Sequence, residues 1–215
     1  MISSMLSTTD AIVLALQPLS DRAHLLHAYT RAGGRVNCKV YGLGRRHSAG
    51  LYTPFSLIQL TADFPSLQGG GGSRLPSVRT AQLAYVPTTT TTDLRKQAVS
   101  LFLSEVLYLT LRYPMPDEHI FDFIAASVRE LDALSAEAED GQALANFHLR
   151  FLSDFASHLG FAIPTTNDQL PTTFNNPLSR QARQEALHAL CSYFAEHIDT
   201  WQDPKSLPVL MEVFD

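Results

Sequence analysis

Two hydrophobic periods divide this chain. From Asp10 to about Tyr85 apolar residues recur every second position, and from Asp93 onward they recur every three to four. In the first stretch, residues 11–16 (AIVLAL) form a short β-prone run that is expected to stop at Pro18. Residues 24–31 read as a second strand with Leu26 and Ala28 on one face, and Gly33-Gly34 supplies the positive φ angles of a tight hairpin turn. On the third strand Val36, Cys38 and Val40 point one way, and Arg35, Asn37, Lys39 and Tyr41 the other. A loop (GLGRRHSAGLY, 42–52) follows. Residues 55–64 make a fourth strand, and a glycine-rich loop (68–76) leads to a fifth at 78–85. Five strands without an intervening helix predict a small barrel of the OB-fold type over residues 1–86.

Pro87 and the five threonines 88–92 form a β-branched connector, after which helices are predicted over 93–215. The first runs from Asp93 to about Arg112 and stops at Tyr113-Pro114. Apolar residues cover nearly its whole circumference, which predicts a buried central helix. The second starts near Asp117-Glu118 and uses Ile120, Phe121, Ile124, Val128 and Leu131, then fades in the polar segment 135–141. The third (142–159) stacks Leu144, Phe147, Phe151, Phe155 and Leu159 and ends at Gly160. Residues 162–177 read as loop. Ser179 N-caps a fourth helix, 180–198, with Leu187, Leu190, Phe194 and Ile198 on its core face, and the tail 207–215 is suited to one short helix. The fold class expected is therefore α+β: a five-stranded OB-fold β-barrel followed by an all-α helical domain.

Charge follows the same division. Residues 1–92 hold Arg22, Arg31, Arg35, Lys39, Arg45, Arg46, Arg74 and Arg79 against Asp10, Asp21 and Asp63, a net of +5. The rest of the chain holds eight bases and eighteen acids, so the overall −5 hides a basic front half and an acidic back half. Cys38 and Cys191 are the only cysteines, too few for a cysteine-rich zinc module, and they suit a reduced cytoplasmic setting. No apolar run reaches the roughly 18 residues of a membrane span. The first ten residues lack the basic start and apolar core of a secretory signal.

Catalytic patterns are missing. Gly42-Leu43-Gly44 has no third glycine or following helix, and there is no P-loop and no G-x-S-x-G elbow. The eight histidines form no ligand cluster. Asp117-Glu118, Asp132 and the acids at 137–140 are read as helix-dipole partners and solvated charge. The basic set carries more. A row of bases on one strand face beside the Arg45-Arg46 loop suits backbone phosphates, since each contact releases condensed counterions. Tyr41, Tyr52 and Phe55 are candidates for stacking on unpaired bases.

These residues resemble a known family. Residues 5–14 (MLSTTDAIVL), Tyr29-Thr30-Arg31, Gly34-Arg35, Tyr41-Gly42, Arg45-Arg46 and Pro54-Phe55-Ser56 are similar to the N-terminal domain of RecO. Residues 93–108 (DLRKQAVSLFLSEVLY), 145–152 (ANFHLRFL) and Leu159-Gly160-Phe161 look like its helical domain in Bacteroidetes-type sequences. The likeness runs collinearly through nearly the whole chain and makes Met5 the natural start. It implies a non-enzymatic DNA repair and recombination mediator of the RecF pathway, cytoplasmic and associated with the nucleoid. Such a protein binds single- and double-stranded DNA and anneals complementary strands. With RecR it loads RecA onto DNA coated by single-strand DNA-binding protein, whose acidic, hydrophobic C-terminal tail some members bind. Phosphate contacts are expected from Arg31, Arg35, Lys39, Arg45 and Arg46, flanked by Arg22, Arg74 and Arg79. Many members hold zinc on four cysteines in the second domain. Only Cys191 lies there in this chain, so no cofactor or metal is expected. The loop extension at 69–73 is a second departure. The tail would need a local basic and apolar pocket, supplied by Arg112, Arg129, Arg150 or Arg183. Two other readings remain open: an RNA-binding OB-fold protein, and a protein adaptor with incidental DNA contact.

Overall fold

The structure is a computed structural model that describes residues 4–43, 49–65, 75–135, 141–163, 174 and 176–214. The chain divides into two compact units, Met1–Val86 with Leu111–Phe121, and Pro87–Thr110 with Asp122–Asp215. The class is α+β, a five-stranded sheet followed by five helices.

In the first unit the strands are β1 (Ser4–Ser20), β2 (Ala23–Thr30), β3 (Gly34–Tyr41), β4 (Leu57–Pro65) and β5 (Val78–Leu83). They lie in the order β3-β2-β1-β4-β5, with every neighbouring pair antiparallel. β1 is long because it serves two partners. Its first part, Ser4 to Ile12, pairs with β4, and its second, Ala11 to Ser20, pairs with β2. β1 therefore begins before Asp10 and continues past Pro18, contrary to the sequence expectation. At Pro18 the β4 ladder has already ended, so the missing N–H faces an open edge beside the irregularity between Pro18 and Ser20. β3 meets the residue before β5 at an isolated parallel bridge, Lys39 with Ser77, where the Lys39 N–H donates to Pro76 O at 2.7 Å.

The inward face carries Ala11, Val13, Leu26, Ala28, Cys38, Val40, Ile58, Leu60 and Ala62, all buried. Of these, Leu26, Ala28, Cys38 and Val40 are alternating residues read from the sequence, and Val36, read with them, is only partly buried. Phe55 is not the start of a strand: its φ of +65° is left-handed, and its N–H donates to Val13 O at 2.8 Å in the turn before β4. The segment Leu111–Phe121 lies along the β2–β3 hairpin. The Arg35 N–H donates to Tyr113 O at 3.3 Å, and the Asp117 N–H to the Tyr29 hydroxyl at 3.1 Å. Arg31 sits over the Phe121 ring, 4.5 Å from its centroid.

The second unit is built from α1 (Leu94–Thr110), α2 (Glu118–Ala133, from Asp122 on), α3 (Gly141–His158), α4 (Arg180–His197) and α5 (Leu207–Val213). Ser179 caps α4 as its sequence position predicts, its hydroxyl accepting from the Ala182 N–H at 3.1 Å. An aromatic run from Phe123 through Phe155 and Phe194 to Trp201 fills the core. The Glu105 carboxylate on α1 accepts from the Lys205 and Ser206 N–H groups and so holds the start of α5.

α1 is not buried all round. Leu94 is 73% exposed and Leu101 42%, while Lys96, Ser100 and Ser104 are buried. An all-apolar circumference cannot say which side meets the core, and here polar residues on the packed side find partners. Ser104 donates to Leu101 O, and Lys96 donates to the carbonyl of Asp132. Asp132 corrects the reading of a solvated acid. It is 2% exposed, and its carboxylate accepts from the N–H and hydroxyl groups of Thr88, Thr89 and Thr90. Its place four residues after Val128, on the core face of α2, was the available signal.

Candidate nucleic-acid interface

Strand alternation fixes which side chains share the outer face of the β1–β2–β3 ribbon. With Leu26, Ala28, Cys38 and Val40 inward, the odd-numbered residues of β2 and β3 face out. Register then aligns them in rows: Gln17, Leu25 and Lys39 form one, His27 and Asn37 a second, Ala23 and Tyr41 a third. The shared face of Arg35, Lys39 and Tyr41 predicted from sequence is therefore present.

Those three residues are not equivalent. Tyr41 is 59% exposed and Lys39 half-buried. Arg35 is engaged within the unit: its guanidinium donates to Leu111 O at 3.2 Å and lies 3.3 Å from His27 Nδ1. His27 Nδ1 also bonds Asn37 Oδ1 at 2.7 Å, and Nε2 lies 3.4 Å from Gln17 Oε1. Burial pulls the His27 pKa below its ordinary value; the Asn37 bond opposes this and the Arg35 charge adds to it. The open, polar end of the face is thus Gln17, Lys39 and Tyr41, with Arg22 exposed in the nearby β1–β2 turn.

The remaining candidates separate clearly. Arg31 is half-buried over Phe121. Arg79 is exposed on β5 and pairs with Asp63 at 3.0 Å, so part of its charge is already balanced. Arg45, Arg46, Arg74 and the 69–73 loop lie outside the described residues. Tyr52 and Phe55 are corrected: at 6% and 3% exposure they pack inward and offer no open ring face. Nearness to a basic loop in sequence does not distinguish an aromatic that anchors a turn from one that stacks on a ligand. Only Tyr41 of the three can stack.

A second basic locus lies in the acidic half. Arg183 on α4 lines a cavity of about 20 Å³ with His148, Arg180 and Met211, and a wider cleft of about 340 Å³ with Arg95 and Gln142; Phe214 borders both. Burial lowers the Arg183 pKa, and the Arg180 charge lowers it further. Of the four arginines named for a tail pocket, Arg150 pairs with Glu130, Arg129 donates to Ala125 O, and Arg112 belongs to the first unit. Arg183 also donates to a backbone carbonyl, Leu178 O at 2.8 Å, but it alone of the four lines both cavities. Arg180 shares the first with it, and Arg95, which pairs with Asp93 at 3.5 Å, shares the second; neither was expected from the sequence. The i, i+3 spacing of Arg180 and Arg183 on one helix face was the available signal.

Among the described residues no group of three or more His, Cys, Asp or Glu could hold a metal ion. Both cysteines are free and buried, and burial pushes each thiol up to about 12. No helix among the described residues is long and apolar enough to cross a membrane.

No family model matches the chain. Individual relatives do. A protein named DNA repair protein RecO from Phocaeicola vulgatus is 32% identical over 167 residues, covering 76% of this chain and 64% of the relative. Its namesake from Porphyromonas gingivalis is 30% identical over 73% of this chain and 61% of the relative. The chain thus spans less than two thirds of the length of these two relatives. A third, from Bacteroides fragilis, is 24% identical over 98% of this chain and 100% of the relative. Agreement at this level in several separate proteins, together with the α+β architecture, has one reading: the chain belongs to the RecO family.

Proposed function

We propose that this protein is a non-enzymatic DNA repair and recombination mediator that binds DNA through the outer face of its sheet. The observation that carries this reading is the row of Lys39 and Tyr41 on one open strand face, with Arg22 beside it, in a chain whose relatives are named DNA repair protein RecO. A half-exposed ammonium and a bare aromatic ring on a rigid strand suit a phosphate and the π-face of any base, so binding is largely independent of sequence. Positive charge over both backbones reduces their mutual repulsion and leaves base edges free, which favours annealing of complementary strands.

The finer steps follow the family. The protein works with RecR to place RecA on DNA coated by single-strand DNA-binding protein, in the bacterial cytoplasm. The acidic tail of that protein docks where the Arg180–Arg183 cavity and the Arg95–Arg183 cleft share Arg183 and Phe214. Guanidinium forks suit its carboxylates, and Leu187, Met211 and Phe214 suit its apolar end. The adaptor reading is the one rival with a specific observation behind it, this same cleft.

A strand-annealing assay over a salt series, with and without single-strand DNA-binding protein, tests the proposal. Annealing should weaken steeply with salt, and Lys39→Gln should lower the single-strand salt slope by about 0.7. Absence of DNA binding, with retained capture of the tail peptide, would favour the adaptor.

A further inference from the structure

Tyr113 is 72% exposed, and so is Met115 two residues on. Two such side chains in a row are costly to leave in water, yet their backbone is firmly held. On one side Leu111 O accepts from the Arg35 guanidinium at 3.2 Å and Tyr113 O from the Arg35 N–H at 3.3 Å. On the other, the Asp117 N–H donates to the Tyr29 hydroxyl at 3.1 Å. Between these anchors Gly34 lets the segment come close, since a Cβ there would stand 2.4–2.7 Å from Met115 backbone atoms. Pro114 and Pro116 restrict φ further. The result is a tyrosine displayed on a pre-ordered loop, which loses little entropy when it engages a ligand.

The position identifies the ligand. Tyr113 is bonded to β3 at Arg35, on the same strand that presents Lys39 and Tyr41, and Arg112 beside it is exposed. The acids nearby are drawn to the start of α2: Asp117 accepts from the Ile120 N–H at 3.0 Å, and Glu118 opens the helix. Arg35 and Tyr41 are six residues apart on β3, about 20 Å at strand rise. That distance matches about six nucleotides at the stacked rise of about 3.4 Å per strand.

We infer that Tyr113 is a second base-stacking residue, and that single-stranded DNA runs along β3 with bases stacked on Tyr41 at one end and Tyr113 at the other. This rests on the DNA-binding reading above and adds a residue, a path and a minimum length to it. Stacking is indifferent to charge, so Tyr113 should affect affinity without affecting the salt slope, the opposite of Lys39.

The test is fluorescence anisotropy with labelled oligothymidines of 4 and 12 nucleotides. Tyr113→Ala should weaken binding of the 12-mer about tenfold at an unchanged salt slope. It should affect the 4-mer much less, since that strand cannot span both rings. Tyr113→Phe should restore 12-mer affinity. Tyr113→Trp should add an emission, over that of the chain's single Trp201, that is quenched by the 12-mer. If Tyr113→Ala binds the 12-mer as the unaltered protein does, or if 4-mer and 12-mer lose affinity equally, this inference is wrong and the parent reading stands. If the unaltered protein binds neither oligonucleotide, the parent reading fails and takes this one with it. Tyr113 is too exposed for its truncation to unfold the unit, and circular dichroism checks this directly.

Discussion

The Lys96 ammonium lies 2.8 Å from the carbonyl oxygen of Asp132, and both residues are almost wholly buried. Burial lowers the Lys96 pKa, while the charges of Asp132 and Asp93 raise it. The threonine connector closes the arrangement, because Thr89 Oγ1 also accepts from Lys96 Nζ at 2.5 Å. A low-complexity run thus acts as a specific ligand set for one carboxylate.

Asp132→Ala should therefore be among the most damaging single changes in the helical unit. It removes one of the two carboxylates whose charges support the buried ammonium and strands the N–H groups of Thr88, Thr89 and Thr90. The expected loss is about 3–5 kcal/mol, read as a shift of the urea midpoint. Adding Lys96→Met to that variant should recover part of it, because the poorly compensated charge goes too. An exposed acid would give neither result.

Acid sensitivity should centre on His148. This ring is fully enclosed between Phe102 and Phe214, and its Nδ1 has no hydrogen-bond partner. Burial, aided by the Arg183 charge, pulls its pKa from 6.5 down to about 3. The unfolded chain therefore takes a proton that the folded one refuses between those values. Stability from this residue is complete above about pH 6.5 and is lost as pH falls toward 3, by roughly 4–5 kcal/mol. Urea midpoints measured from pH 7 to pH 4 should show this fall, and His148→Leu should flatten it. An equal acid limb in both proteins would remove His148 as its source.

Gly34→Ala should release the segment Leu111–Phe121. The substitution places a side chain at φ +63° and drives a methyl into the Met115 backbone, which has no flexible end to move aside. The Arg35 and Asp117 amides, bonded to Tyr113 O and the Tyr29 hydroxyl, should lose hydrogen-exchange protection, with a stability cost of about 1–3 kcal/mol. Unchanged protection at both amides would mean that the segment can shift without strain.

The amino-acid sequence by itself determined the local pattern. Period-two alternation put Cys38 and Val40 inward and Lys39 and Tyr41 outward, and helical spacing set the apolar faces of α2, α3 and α4. These are properties of one residue relative to its chain neighbours, and backbone geometry alone imposes them. What the tertiary structure decided is which of two like residues is free to act. Tyr41 is open while Tyr52 is enclosed, and Lys39 lies half-exposed on the outer face while Lys96 is sealed against Asp132. Arg35 bonds a chain segment 76 residues away. Each outcome depends on a partner distant in sequence, and no local period encodes that partner. The same holds for the acids and bases of the helical unit, where Asp132 became a buried hub and Arg183 came to line one cavity with Arg180 and another with Arg95, because burial and charge are set by what the fold brings near.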